Sequence, residues 1–259
     1  MEKAKTVSLG QSGLVVPQIG FGTEHINSYT PNYGGNLLAD AASLYGVFLW
    51  DTDMVYGSHP QVAEGLKKIK REEVVVCSKT YAVTAKDAEQ DLERIFLELG
   101  TDYLDVCMLH RVCLSADRYQ PALDVLVREK ERGRIRTVGL STHFVSVVED
   151  CLTVPEIEVI CAPLNRDGSR IDQGDRSGMV SALKKAHQAG KGTIIIKILG
   201  RGDLLYDLRG AIEWVLQFNS FIDVYNIGIT DLTELKENIG IINEYFSRKE
   251  EVEHETNAD

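Results

Sequence analysis

Along this chain, short apolar runs alternate with longer stretches whose apolar residues recur at helical spacing. The runs are IGFG, VFLWDT, VVVCSKT, YLDVCMLH, IRTVGLS, EVICAPLN, GTIIIKIL and DVYNIGIT. Short runs rich in β-branched residues read as strands buried on both faces, the mark of a parallel sheet. The periodic stretches between them predict helices near residues 35–45, 60–69, 85–99, 121–132, 145–151, 178–189, 204–218 and 231–246. Ahead of the first run, VSLGQSGLVVPQ sets a Gly-Gln-Ser-Gly turn between two apolar pieces and predicts a hairpin. Eight strand–helix units in 259 residues fit a closed (β/α)8 TIM barrel with an N-terminal β-hairpin, an α/β fold. An open doubly wound sheet would want GxGxxG after its first strand, and GFGTEH is only a partial echo. No linker divides the chain, so one domain is expected over residues 1–259, with 247–259 as a disordered acidic tail.

A formal net charge of −11 argues against nucleic acid as a partner, because phosphate binding needs a basic face. The start, MEKAKTVSLG, has no apolar core of a signal peptide, and no stretch approaches the ~20 apolar residues of a membrane span. A cytoplasmic protein is expected, as a monomer or weak homo-oligomer. Cys77, Cys107, Cys113, Cys151 and Cys161 form no CxxC pair and read as free, mostly buried thiols. The histidines are scattered without metal-ligand spacing, so no metal site is expected.

In a parallel barrel, chemistry gathers where strands end. Those ends carry Asp51 and Tyr56 after the second strand, Lys79 after the third and His110 after the fourth. Ser141, Asn165 and the Gly200-Arg201-Gly202 turn follow the fifth, sixth and seventh. Each has a plainer role available: Asp51 as a helix cap, Tyr56 as a loop aromatic, Lys79 on the surface, His110 in the core. Their grouping at one mouth favours chemistry. A free phenol ionises near pH ~10 and is a poor acid at neutrality, but a neighbouring ammonium stabilises its anion. That ammonium needs a counter-ion, which Asp51 can supply, while an imidazole can orient the oxygen being protonated.

These residues carry a resemblance. WDTDMVYG resembles the DTAxxYG segment of the aldo-keto reductase superfamily, CSKT its SKT segment, and LERIFLELGTDYLDVCMLH its SLxRLxxDYxDLxxxH unit. GRIRTVGLSTH is similar to its GKIRxIGVS strand. The likeness runs from LGQSGLVVPQIGFGT to ELKEN, in a compact, bacterial-type form with short capping loops. It implies hydride transfer between a nicotinamide cofactor, NADPH or NADH, and the carbonyl of an aldehyde or ketone. Tyr56 would be the general acid, tuned by Lys79 and Asp51, with His110 orienting the carbonyl. Ser141 and Asn165 would hold the carboxamide, and Gly22 and Thr23 would meet the ribose and nicotinamide. Lys197, Leu199, Gly200 and Arg201 would run beside the pyrophosphate, with Gly228 and Thr230 at the last strand end. Glu237 and Asn238 would hydrogen-bond adenine. The same GITDLTELKEN also reads as a helix capped by Thr230 or Asp231, with Glu234 completing a capping box.

The chain departs from the family in several places. Gly228, Asp231 and Glu234 stand where a bound 2′-phosphate would need cations, which favours NADH, although Lys236 could reach back. Ile196 replaces the aromatic that stacks on nicotinamide, leaving Tyr225 or Trp50 as candidates from elsewhere. Asp53 stands where the family has alanine, either charging the site against acidic substrates or sitting as a solvated loop acid. HINSYTPNYGG, residues 25–35, reads as a pocket wall or an exposed loop. Short loops (HRVCLSADRYQP and LGRGDLLYDL) imply an open mouth, suited to a small-molecule or carrier-attached carbonyl substrate. Two other functions stay open: a non-catalytic cofactor-sensing regulatory subunit, and a lyase or isomerase using Lys79 or Lys197 as a Schiff-base nucleophile.

Overall fold

A computed structural model describes residues 3–113 and 116–256. The hairpin comes first, β1 (Thr6–Ser8) against antiparallel β2 (Val15–Pro17). Eight barrel strands follow: β3 (Ile19–Gly22), β4 (Leu49–Asp51), β5 (Val75–Thr80), β6 (Leu104–Leu109), β7 (Ile135–Ser141), β8 (Val159–Pro163), β9 (Gly192–Ile196) and β10 (Val224–Gly228). They close in the order β10-β3-β4-β5-β6-β7-β8-β9, with every neighbouring pair parallel. Between and after them run α1 (Pro31–Tyr45), α2 (His59–Leu66), α3 (Ala85–Leu99), α4 (Gln120–Glu131), α5 (Val145–Asp150), α6 (Arg176–Gln188), α7 (Leu208–Leu216) and α8 (Leu232–Thr256). The TIM barrel and hairpin expected from the alternation are both present. No helix among the described residues is long and apolar enough to cross a membrane.

The period-2 alternation of strand side chains splits the core in two. One layer lies between barrel and helices and includes Phe21, Trp50, Val76, Cys107, Leu140, Ile160, Ile195 and Tyr225. The other fills the barrel with Leu49, Val75, Cys77, Val106, Met108, Val159, Ile194 and Val224, plugged from the hairpin by Leu9, Leu14 and Val16. Trp50 and Tyr225 thus belong to the outer layer, fully buried, and neither reaches the barrel mouth to stack on a cofactor. Gly10 seals the hairpin against the barrel: its N–H donates to Asp223 Oδ2 at 3.0 Å, and a Cβ there would lie 2.3 Å from Gly192 N.

Local signals set the helix ends. Thr84, Asp175 and Asp207 accept from Asp87, Gly178 and Gly210 amides at the starts of α3, α6 and α7. Two boundaries differ from expectation. α1 begins at Pro31, ahead of the expected residue 35, with Thr30 accepting from the Tyr33 amide, so Gly34 is helical rather than loop. A Cβ on Gly34 would meet Gln61 Cγ at 2.5 Å, and one on Gly35 would meet Gly65 N at 2.7 Å. The glycines let α1 and α2 touch closely, and that contact outweighs their helix-breaking entropy. At the other end, α8 continues past Phe246 to Thr256, through the part of the acidic stretch expected to be disordered. Its SRKEEVEHE sequence is rich in good helix formers, which prolong a helix already anchored on the barrel. Residues 257–259, and Leu114–Ser115 of the loop after β6, lie outside the described residues.

Gly35→Ala should lower stability by about 1–3 kcal/mol through overpacking. Gly240→Ala in α8, where an added Cβ meets nothing within 4 Å, should instead raise it by up to ~1 kcal/mol. Urea denaturation of the two variants reads the opposite signs.

Candidate active site

The inward parity of the strands puts Asp51, Lys79, His110, Ser141 and Asn226 at the C-terminal rim of the barrel. Asp51, Lys79 and His110 are 5%, 1% and 8% exposed. Lys79 Nζ donates to Asp51 Oδ1 at 2.6 Å and to the Thr52 carbonyl at 2.8 Å. Asp51 Oδ2 accepts from Asn226 Nδ2 at 2.8 Å, so both carboxylate oxygens are engaged. Burial opposes charge on Lys79, yet the adjoining Asp51 carboxylate wins, and the ammonium is held well above its ordinary range.

Tyr56 follows β4 across a tight turn in which its amide donates to the Asp53 carbonyl at 3.1 Å. Gly57, at φ +72°, then carries the chain toward α2. The phenol ring lies 5.0 Å from the Lys79 ammonium and 6.4 Å from the His110 ring, edge-on. Burial pushes the Tyr56 hydroxyl above its ordinary value, and Lys79 pulls it back only in part. The sequence suggested a phenol made acidic by the amine; here desolvation is the larger effect, so the hydroxyl keeps its proton firmly until something draws it off.

A buried hydroxyl chain fixes this turn from behind. Thr23 Oγ1 donates to the Asp51 carbonyl at 3.0 Å and pairs with Ser58 Oγ at 2.8 Å, which also meets Thr52 Oγ1 at 3.0 Å. His59, at the start of α2, is anchored through Nδ1 to Glu98 at 2.6 Å and through Nε2 to Ser78 at 3.3 Å. Thr23 therefore lies beneath the rim rather than on the open surface.

Beside Tyr56 opens a cavity of about 430 Å³ that runs past β9 and β10 to the start of α8. Of the residues singled out in the sequence, Gly22, Asp51, Tyr56, Lys197, Leu199 and Arg201 line it, as do Gly228, Thr230, Glu237 and Asn238. Lys79, His110, Thr23, Ser141, Asn165 and Gly200 do not. Ser141 Oγ instead sits 3.2 Å from His110 Nδ1 and accepts from the Arg111 amide at 3.3 Å. The Asn165 side chain is tied to Ser169 and to the Lys197 carbonyl, bracing the loops after β8 and β9. Ile196 lines the cavity without an aromatic partner on its strand.

Lys197 and Arg201 adopt left-handed backbone, φ +59° and +66°, which is strained for non-glycine residues. That turn aims both cations at Glu24, 3.0 Å from Lys197 Nζ and 3.1 Å from Arg201. Burial works against the Glu24 anion, but the two cations outweigh it and hold the carboxyl below its usual range. Neither Glu24 nor the adjacent His25, which abuts Gly228, was singled out as a site residue, though both lie in the cavity wall. Of the 25–35 segment, His25 alone lines the cavity, while Tyr29 donates its hydroxyl to the Thr230 carbonyl at 3.0 Å. Asn226 was missed too. Its signal was a polar residue at inward parity in an otherwise apolar strand, two positions before Gly228.

The donor set suits an elongated phosphate-bearing ligand: cations midway, carboxylate and amide groups at the α8 end, and bare glycine walls at Gly22 and Gly228. A Cβ on Gly22 would lie 3.1 Å from the Ile227 carbonyl, and one on Gly228 would lie 2.7 Å from the His25 ring.

The comparisons with known proteins agree with this architecture. The family model for the aldo/keto reductase family matches residues 18–206, and the chain belongs to that family. It is 29% identical over 192 residues to a D/L-glyceraldehyde reductase of Hypocrea jecorina, covering 62% of this chain and 56% of that protein. It is also 29% identical over 164 residues to a glyoxal reductase of Bacillus subtilis, covering 59% and 55%. The match thus spans about half the length of these curated relatives. Among solved structures, an aldo-keto reductase from Bacillus halodurans in its holo form superposes with a TM-score of 0.74 at 18% identity, covering 92% of this chain and 90% of that one. That likeness concerns the fold.

Removing one partner of the buried ion pair should be costly. Asp51→Ala leaves an uncompensated ammonium and should destabilise the protein by about 3–5 kcal/mol. Adding Lys79→Met should restore most of that loss in urea denaturation, because the charge leaves with its partner.

Proposed function

We propose that this protein is an oxidoreductase that moves hydride between a nicotinamide cofactor and an aldehyde or ketone, with Tyr56 as proton donor. The observation that carries this reading is the Tyr56 ring over the Asp51-paired Lys79 ammonium, with His110 at its edge, at the rim of a cavity bearing Lys197 and Arg201. A bound dihydronicotinamide would supply the hydride. Gly22 is assigned to its nicotinamide end, with Thr23, Ser141 and Asn165 behind it bracing that end of the wall. Lys197, Leu199, Gly200 and Arg201 are assigned to the pyrophosphate, and Gly228, Thr230, Glu237 and Asn238 to the adenosine.

The side chains divide the remaining work. Tyr56 stays protonated until the carbonyl oxygen gains negative charge, then gives up its hydroxyl proton. Lys79 stabilises the phenolate left behind, and Asp51, steadied by Asn226, keeps Lys79 charged. His110 orients the substrate oxygen. The same pairing weighs against a Schiff-base lyase, since Lys79 is an ammonium and Lys197 is ion-paired with Glu24, whereas a nucleophilic amine must be neutral.

For the cofactor we infer a preference for NADH. Carboxylates hold three amides around the start of α8: Asp231 Oδ1 accepts from Thr233 and Glu234, and Glu234 Oε2 accepts from Thr230 at 2.8 Å. A 2′-phosphate there would meet two anions that already hold these amides, whereas a ribose hydroxyl could donate to either carboxylate.

An absorbance assay with either cofactor and a panel holding glyceraldehyde, glyoxal, methylglyoxal and larger ketones tests both readings. Turnover should appear, and Tyr56→Phe should lower kcat by about 10²–10⁴ with cofactor binding retained. Undiminished turnover in that variant would remove Tyr56 from the role. NADH should exceed NADPH at least about tenfold in kcat/KM, and Glu234→Arg should narrow the gap. A tenfold advantage for NADPH in the native protein would reverse the assignment.

A further inference from the structure

Asp53 is fully buried, not the solvated loop acid that its place in the turn allowed. Its Oδ1 accepts from the Val55 amide at 2.8 Å. Its Oδ2 has no hydrogen-bond partner and lies 3.3 Å from His110 Nδ1. A buried, unpartnered carboxylate oxygen is costly, and here it is aimed at one nitrogen of the ring assigned to the substrate oxygen.

That nitrogen has a second neighbour. Ser141 Oγ is 3.2 Å from Nδ1 and already accepts from the Arg111 amide, so its own hydrogen is free to point at the ring. Arg111 takes φ +50° to bring its amide there. Nδ1 can accept from Ser141 or donate to Asp53, but one ring nitrogen cannot do both. In a neutral imidazole, the bond made at one nitrogen fixes which nitrogen carries the hydrogen.

We propose that Asp53 is a positioning residue whose own protonation selects which nitrogen of His110 carries hydrogen, and hence whether that ring donates to a carbonyl or accepts from an alcohol. This rests on the reductase reading above. With Asp53 neutral, Nδ1 accepts from Ser141, Nε2 bears the hydrogen, and the ring is a donor suited to carbonyl reduction. With Asp53 ionised, its proton has gone to solvent and the ring's single hydrogen sits on Nδ1, donated to Oδ2. Nε2 is then a bare acceptor, suited to an alcohol hydroxyl and the oxidative direction. The ring holds one hydrogen in both states.

The surrounding charges place this switch within reach. Burial raises the Asp53 carboxyl to about 6; Lys79 and the Val55 amide oppose that rise, while Asp51 and Asp91 add to it. Burial, together with Lys79, Arg111, His143 and Lys197, pushes His110 down to about 2, so the ring stays neutral while Asp53 titrates.

Nitrogen-15 NMR of histidine-labelled protein reads the two tautomers directly, with His110 identified by the signal lost in His110→Gln. Across about pH 5 to about pH 8, hydrogen should move from Nε2 to Nδ1 in the native protein, and neither Asp53→Asn nor Asp53→Ala should show the change. In parallel, kcat/KM for reduction should fall at least about tenfold over the same range in the native protein and stay level in both variants. A native ring that keeps one tautomer throughout, or variants that switch as the native does, would overturn the proposal. A tautomer change in a protein that reduces no carbonyl would sink the reductase reading and leave the Asp53–His110 coupling standing.

Discussion

The ion pair between Asp51 and Lys79 is the constraint around which this barrel mouth is arranged. Two charges are buried directly above the apolar filling of the barrel, so each must be fully engaged or the fold suffers. Asp51 spends one oxygen on Lys79 and the other on Asn226, while Lys79 adds the Thr52 carbonyl. These bonds tie β4, β5 and β10 together at one level of the barrel. They also place a permanent positive charge under the Tyr56 ring. On the proposed reductase reading, stability and chemistry thus draw on the same contact, and exchanging either side chain alone should disturb both.

Around that pair the site is organised in depth. Apolar side chains fill the barrel below it. Thr23, Thr52 and Ser58 bond to one another behind the turn that carries Tyr56, and His59 pins the helix that follows to Glu98 and Ser78. The cavity side is built differently, from strained backbone at Lys197 and Arg201 and from glycines that keep walls open. Rigid bonding holds Asp51, Lys79 and the Tyr56 turn, and bare surface lines the cavity beside them.

Much of this was legible in the sequence because a parallel barrel has a strict grammar. Eight apolar runs at regular spacing gave the topology, and polar residues ending those runs gave Asp51, Lys79 and His110. What escaped had no local signal. Gly34 looks like a loop residue until α2 is seen against it. Glu24 and His25 look like ordinary polar residues until β9 turns two cations toward the first. Trp50 and Tyr225 look available for stacking, but strand parity sends them outward. Ser141 and Asn165 are where strand ends put them, yet both bond to the protein's own groups, a matter of side-chain direction that spacing cannot express. The acidity of Tyr56 turned on burial, which depends on residues from across the chain.

The hairpin has a consequence for the barrel as a whole. Leu9, Leu14 and Val16 stopper the far end of the barrel against a column of apolar side chains. The space beside Tyr56 opens at the opposite end, past β9 and β10, so the hairpin leaves the two ends of the barrel with unlike tasks, one sealed and one hollow.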